Sequence, residues 1–251
     1  MEFPATEGFE DKPGIIPNAH IDTIWPYVIN GTLVKDYSPE NLDFDPENND
    51  FFHKREGSFG ADNKAGVATI VQALKVLKTN YWDRGYGHRR ILVIFTAESE
   101  AMWIGAKYLV EKHPALFANT DISLTCDGFL WGYPRFLYIV QVSPQDAEDP
   151  QYKRVITFVK ELSDIKGISC EVLDDSLEKP DNTVFPPEAH GKLFIYSPMR
   201  GIHKQERARL SDLLNHVDLF THILMRLEGN AAGIIERHTD TKGTAPAPQA
   251  Q

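Results

Sequence analysis

Residues 60–66, GADNKAG, place an acidic side chain among small residues at the start of a predicted helix. Apolar side chains recur after them at three- and four-residue steps, which predicts an amphipathic helix over about residues 63–78. Asp62 stands just before this helix, where an acidic residue often caps the first turn. The position also suits a carboxylate that binds metal ions. That second interpretation depends on whether other candidate ligands follow predicted strands elsewhere.

Strands and helices alternate on both sides of this stretch, because short apolar runs predict strands and longer amphipathic stripes predict helices. The predicted strands are Gly14–Ala19, Ile91–Phe95, Ile122–Cys126, Phe136–Val142, Ile168–Leu173 and, as the last one, Leu193–Tyr196. The further predicted helices are Gly105–Glu111, Tyr152–Asp164 and a final helix whose apolar stripe runs from Leu210 to Leu227. This order predicts an α/β fold, a three-layer αβα sandwich with a mostly parallel or mixed central sheet.

No linker divides residues 1–238, so we expect a single domain. Residues 24–59 are rich in Asn, Asp, Pro and Gly, which predicts a long loop or a small hairpin. Residues 239–251 are polar with Ala-Pro repeats, which predicts a disordered tail.

Composition limits the classes of protein to consider. The net charge of −10 over 251 residues argues against nucleic acid as the main partner. No apolar run approaches the ~20 residues of a membrane span, and the first residues lack a signal-peptide pattern. Cys126 and Cys170 alone form neither a disulfide framework nor a zinc–cysteine motif. We therefore expect a cytoplasmic protein without a membrane partner.

Five side chains of kinds that bind metal ions stand where predicted strands or loops end. They are two histidines and three carboxylates: His20, Asp62, Glu100, Asp127 and His203. Each alone has a common structural explanation, but strand ends in α/β sheets gather ligands at one edge, and this set suits zinc and related dications. One shared carboxylate would leave each of two metals a histidine, a carboxylate and the bridge. Asp22 can accept the other N–H of His20 and fix its tautomer.

The segments that carry these residues also occur in a known order. They are residues 19–23 (AHIDT), 60–66 (GADNKAG), 95–100 (FTAESE), 126–128 (CDG) and 199–203 (MRGIH). Together they resemble the co-catalytic zinc aminopeptidases and their relatives in the wider clan of zinc exopeptidases, including peptidase T. Any one segment is a weak signal, whereas the ordered set is specific.

The resemblance implies that Asp62 bridges two zinc ions, with His20, Glu100, Asp127 and His203 completing the ligand set. The assignment of each carboxylate to a particular histidine stays open. A cis peptide bond between Asp62 and Asn63 is also implied. Many relatives insert a lid domain between the last two ligands, but predicted strands and a helix already fill that segment here. The resemblance is therefore to the single-domain branch without a lid.

Three departures from the family pattern concern activity. The family carries two adjacent glutamates, a general base and then a ligand; without gaps the ligand falls on Glu100 and the base on Ser99. A serine hydroxyl cannot take up that proton at its ordinary pKa. If this segment were a strand, Glu98 would share a face with Glu100, which makes Glu98 a candidate substitute base. A family glycine is replaced around Met102–Trp103, and only 19 residues precede His20, which suggests a shortened N-terminus.

The resemblance implies a di-zinc metallohydrolase of the aminopeptidase type, which removes N-terminal residues from peptides through a water held between the metals. The expected substrate is a small peptide or amino-acid amide. Arg200 is a weak candidate for binding a substrate carboxylate. Because Ser99 stands at the position of the base, present activity is in doubt. The alternatives are a non-catalytic metal- and peptide-binding relative, an inactivated variant of an active peptidase, and a different reaction on the same fold.

Overall fold

The computed structural model describes residues 1–23, 28–29, 32–33, 39–54, 60–99, 102–127, 137–142, 150–174, 181–186, 191–196 and 207–227. The helices are α1 (Ala61–Asn80), α2 (Ile104–Lys112), α3 (Pro150–Lys166) and α4 (Leu210–Leu227). The strands are β1 (Glu2–Phe3), β2 (Gly14–His20), β3 (Val28–Ile29), β4 (Thr32–Leu33), β5 (Leu42–Asp45), β6 (Asp50–His53), β7 (Ile91–Leu92), β8 (Ile94–Thr96), β9 (Thr120–Asp127), β10 (Leu137–Val142), β11 (Ser169–Asp174), β12 (Gly191–Tyr196) and β13 (Arg207–Arg209). Short 3₁₀ turns lie at Pro39–Asn41, Trp82–Arg84, Pro114–Phe117 and Asp181–Val184.

Eight of the described strands form one mixed sheet in the order β1-β7-β2-β9-β12-β10-β11, with β8 also paired to β2. At its centre, β2 runs parallel to β7, β8 and β9, and β9 runs parallel to β12. The antiparallel pairs are β1 with β7 and β10 with β12. The predicted α/β fold with a mixed central sheet is confirmed.

Helices cover both faces of this sheet. Because neighbouring residues of a strand point to opposite faces, each strand contributes side chains to two separate cores. Ile15 of β2 belongs to the larger hydrophobic core, which also contains buried residues of α1, α3 and α4. Ile16, the next residue, belongs to a smaller core with Ala106 of α2 and with Phe117 and Phe185. The two cores give the three-layer arrangement that the alternation of apolar runs predicts.

The first turn of α1 is irregular. Gly60 precedes it in the left-handed region, with φ of 77°. Asp62 and Asn63 have non-helical backbone angles, so regular helix begins at about Lys64. Asp62 therefore does not cap the helix, and its carboxylate is available for other contacts. The peptide bond between Asp62 and Asn63 is cis, as the family resemblance implies.

The structure adds to or differs from the predicted elements in three details. Leu193–Tyr196 is not part of the last strand, because β13 follows and joins β6 and β5 in a separate small sheet. Residues 24–59, where a long loop or a small hairpin is predicted, contain two antiparallel strand pairs, β3–β4 and β5–β6. The apolar run Ile91–Phe95 is divided into β7 and β8 at Val93, whose backbone N–H donates to the carbonyl of Met1.

The apolar stripe of α4 is only partly buried. Leu219, Phe220 and Leu224 are fully buried, whereas Leu214 in the first half of the helix is 59% exposed. Across the described parts of the chain, no helix has the length and apolar character that crossing a membrane requires. The tail predicted at 239–251 lies outside the described residues.

Candidate metal centre

The candidate centre lies at the carboxyl ends of the central parallel strands. His20 is the last residue of β2 and Asp127 is the last residue of β9. Because β2 and β9 are parallel neighbours, the two ends meet at the same edge of the sheet. Asp62 reaches this edge from the irregular first turn of α1. Three residues far apart in sequence are thus brought together by two strand ends and one helix start.

These three side chains converge on the imidazole of His20. Its Nε2 lies 3.0 Å from Asp127 Oδ1 and 3.3 Å from Asp62 Oδ1. One ligand atom from each residue can be chosen so that all lie within 4.8 Å of one another. Among the residues that the structure describes, this is the one group of three or more His, Cys, Asp or Glu side chains with that spacing.

Asp22 contacts the opposite side of the His20 ring. His20 Nδ1 lies 3.2 Å from the backbone carbonyl oxygen of Asp22 and 3.3 Å from its Oδ1. A proton on Nδ1 is therefore directed toward Asp22, which leaves Nε2 facing the other two carboxylates. The orienting role that the sequence suggests for Asp22 stays a prediction, and this contact is the observation that motivates it.

The electrostatic surroundings of His20 favour positive charge. Burial alone lowers the pKa of His20, but the Asp127 carboxylate, its hydrogen bond to the ring and the nearby carboxylates of Asp22 and Asp62 outweigh it. The pKa of His20 consequently lies well above its usual range. Three carboxylates around one buried ring therefore favour positive charge, either a proton on His20 or a bound cation.

The residues fit a divalent metal ion. Asp62 Oδ1 is buried yet accepts no hydrogen bond, since the Nε2 of His20 is directed to Asp127. A buried carboxylate oxygen without a donor is costly unless another positive group binds it. One imidazole and two carboxylates are common ligands of zinc and related dications. The unpaired oxygen and the donor set both suit a cation between His20, Asp62 and Asp127.

The sequence analysis did not identify Asn63 as a site residue. Its side chain is fully buried, and its Nδ2 donates to the backbone carbonyl of Cys126 at 2.7 Å. Its Oδ1 accepts from the backbone N–H of Gly66 at 3.2 Å. A buried asparagine normally requires such partners, but sequence spacing gives no sign that the partner lies in β9. The only available signal was its position directly after a candidate ligand.

The turn after β8 carries the residues that bear on catalysis. The strand ends at Thr96, and the carbonyl oxygens of Glu98 and Ser99 accept hydrogen bonds from Ile104 and Trp103 at the start of α2. Glu98 has φ of 57° and an exposed side chain, whereas Ser99 is partly buried. Glu98 therefore does not lie in the strand, and its position relative to Glu100 falls outside the described residues.

Met102 and Trp103 both lie in the left-handed region, with φ of 67° and 60°. L-amino acids with side chains adopt this region at a cost, whereas glycine does not. A glycine here, as in the family pattern described above, would adopt this backbone without that cost. The structure keeps the turn although the glycine is replaced.

Three predicted site residues fall outside the described parts of the chain. They are Glu100, Arg200 and His203. The structure thus brings together His20, Asp22, Asp62 and Asp127 and places Glu98 and Ser99 in the turn after β8. The metal-binding and catalytic roles of all these residues remain predictions.

Comparison with known proteins identifies solved structures with a similar fold. The aminopeptidase PepT from Bacillus cereus is 14% identical and superposes with a TM-score of 0.60, covering 89% of this chain and 82% of that one. An aminopeptidase from Desulfurococcus kamchatkensis is 15% identical with a TM-score of 0.58, covering 98% and 86%. A zinc aminopeptidase from Bacillus subtilis is 13% identical with a TM-score of 0.55, covering 90% of this chain and 48% of that one. At these identities the likeness concerns the fold.

No curated protein matches the chain in sequence. The sequence profile of Peptidase family M28, in contrast, matches residues 4–166, which is more than half of the chain and includes His20, Asp62 and Asp127. The predicted relation to the zinc exopeptidases is confirmed, and the function is of the metallopeptidase type. This chain belongs to Peptidase family M28.

Proposed function

We propose that the protein binds two zinc ions in an aminopeptidase-type site and that Ser99 makes its hydrolysis of peptides slow or absent. The observation that carries the proposal is the convergence of His20, Asp62 and Asp127 within 4.8 Å at one sheet edge. Glu100 and His203 complete the proposed ligand set, with Asp62 shared between the ions. Peptide substrates follow from the peptidase family.

The described side chains have separate tasks in this proposal. Asp22 holds the His20 ring so that Nε2 faces the cation. Asp62 offers the buried oxygen that no donor satisfies, and Asp127 offers a carboxylate at the end of β9. Bound dications of this kind lower the pKa of water and polarise a carbonyl group.

Hydrolysis also requires a group that moves a proton from water to the leaving amine. A carboxylate in hydrogen-bond reach performs this task, and general acid–base catalysis of this kind contributes roughly 10²–10⁴-fold. At 1.36 kcal/mol per factor of ten, that is about 2.7–5.4 kcal/mol of barrier. Ser99 can orient a water molecule through its hydroxyl, but it cannot accept the proton at neutral pH.

A second function is favoured by the same residue. With Ser99 at the position of the base, a chain that keeps the metal ligands would bind metals and peptides without cleaving them. Glu98 as a substitute base is the competing possibility, and its exposed side chain in the turn after β8 leaves it open to solvent.

Metal content tests the first half of the proposal. After zinc loading and dialysis, elemental analysis should find about two zinc ions per chain in the native protein, and fewer in Asp62→Ala because the shared ligand is lost. Asp43→Asn is a matched control, since Asp43 is an exposed carboxylate in β5 that pairs with Lys54. Absence of bound zinc in the native protein would contradict the proposal.

Activity on a panel of amino-acid amides and short peptides tests the second half. We expect Ser99→Glu to raise hydrolysis by at least ~10²-fold, and Glu98→Gln in the native background to change little. Loss of a robust native activity in Glu98→Gln would make Glu98 the base. A Ser99→Glu protein that binds two zinc ions without any gain would favour the binding protein over the enzyme.

A further inference from the structure

We infer that Asn63 is a positioning residue, which fixes the separation of the Asp62 and Asp127 carboxylates by joining α1 to the end of β9. The inference rests on the metal site proposed above. Asn63 follows Asp62 directly in the chain, and its side chain binds the carbonyl of Cys126, the residue before Asp127. The side-chain amide of Asn63 thus connects the residue after Asp62 with the residue before Asp127.

β9 is paired with β12 as far as Asp127, but Asp62 belongs to a helix start and not to the sheet, so strand pairing alone does not set this separation. Pairing of β9 with β2 extends only to Thr125, opposite Asn18. The next carbonyl, that of Cys126, takes its hydrogen bond from Asn63 Nδ2 at 2.7 Å. Asp127 follows immediately, so α1 contacts the end of β9 just beyond the last residue paired with β2, while β12 pairs with it on the other side.

The helix side of the contact is equally confined. Asn63 Oδ1 accepts from the N–H of Gly66, which sets the plane of the amide. A Cβ on Gly66 would collide with Asn63 Oδ1 and would lie 2.5 Å from the carbonyl oxygen of Cys126. The backbone of α1 therefore approaches β9 more closely than any residue with a side chain permits.

The consequence concerns metal affinity as well as folding. The Nε2 of His20 lies 3.3 Å from Asp62 Oδ1 and 3.0 Å from Asp127 Oδ1. A shift of α1 relative to β9 would change one distance without the other. Substitution of a residue that orients a metal ligand without touching the metal typically lowers metal affinity by about 10–100-fold. A residue that merely satisfies a buried carbonyl would instead alter stability alone.

The test uses Co²⁺ as the probe, with affinity and visible absorption spectrum measured on the full chain. Asn63→Asp keeps the shape and the acceptor for Gly66 but removes the donor to Cys126. Asn63→Ala removes the donor without introducing a charge. Thr120→Val is the control, because buried Thr120 donates to the carbonyl of Phe117 at the opposite end of β9. Melting temperatures in chelator report folding of each variant.

We expect both Asn63 variants to bind Co²⁺ at least ~10-fold more weakly with a changed spectrum. Thr120→Val should lose stability while keeping the native affinity and spectrum. Asn63 variants with native affinity and spectrum would overturn the inference, as would failure of both to fold in chelator, which would make Asn63 a folding residue. A native chain that binds no Co²⁺ or zinc would instead refute the metal site itself, so the two failures are distinguishable.

Discussion

Gly66→Ala is the substitution whose effect the geometry defines most closely. Gly66 lies in α1 with its Cα against Asn63 and the end of β9. An added Cβ would lie 2.5 Å from the carbonyl oxygen of Cys126, whereas ordinary contact begins at 3.4 Å. The helix or the strand end must therefore move by about 1 Å to accept a single methyl group, a forced repacking of the kind that destabilises close-packed interiors.

Three contributions set the size of the loss. Overpacking of this kind costs about 1–3 kcal/mol, and weakening the bond to a buried carbonyl costs about 1–3 kcal/mol more. Alanine in place of glycine within a helix returns about 1 kcal/mol. We expect a net loss of about 3 kcal/mol, with the central value chosen from these ranges. At ~2–4 °C per kcal/mol for a chain of this size, the melting temperature should fall by about 6–12 °C.

Thermal unfolding followed by circular dichroism in chelator measures this loss, and Co²⁺ titration measures its effect on the site. Gly167→Ala is the control: Gly167 has φ of 64° and nothing within 4 Å of an added Cβ. It should lose only about 1–2 kcal/mol through its left-handed backbone, with metal affinity unchanged. A Gly66→Ala protein that melts at the native temperature or above would refute the close approach of α1 to β9.

Four further outcomes are expected. Zinc at 100-fold over its Kd should stabilise the chain by about 2.7 kcal/mol per site, so chelation should lower the melting temperature measured by calorimetry. Met102→Gly should be more stable than Met102→Ala by about 1 kcal/mol in denaturant titrations, because φ of 67° suits glycine. Burial lowers the pKa of His88, so the unfolded chain binds more protons than the folded chain below about pH 6.5. The free energy of unfolding should therefore decrease as the pH is lowered through this range. The decrease should be less steep in His88→Gln when melting is followed across the same pH values. Deletion of residues 239–251 should leave the melting temperature unchanged, and a drop of several degrees would mean that the tail packs on the domain.

The parts of the fold that sequence reasoning predicted are those with long apolar patterns. The strand that ends at Cys126 and the helix after Asp62 bury one or both faces, so their periodicity reports their structure. The small sheet of β5, β6 and β13 escaped prediction. Its strands are three or four residues long, which is too short for alternation to show, and β13 pairs with a segment more than 150 positions away.

The candidate site divides in the same way. His20 and Asp127 were predictable because both stand at the ends of strands that pattern alone identifies. The position of Glu98 was not, since a left-handed residue after Thr96 turns the chain out of the strand and no apolar pattern records that change. The direction of the backbone in the turn after β8 depends on hydrogen bonds to the start of α2. The sequence pattern gives no sign of these hydrogen bonds.

Asn63 shows why a site of this kind needs more than its ligands. A sheet edge places His20 and Asp127 together through hydrogen bonds between strands, so their spacing is set by the sheet. Asp62 comes from a helix start, which is not part of the hydrogen-bond pattern between the strands. A directional link between the two elements is therefore required to hold carboxylates at fixed distances. The Asn63 amide, confined by Gly66 and bonded to Cys126, is such a link among the described residues.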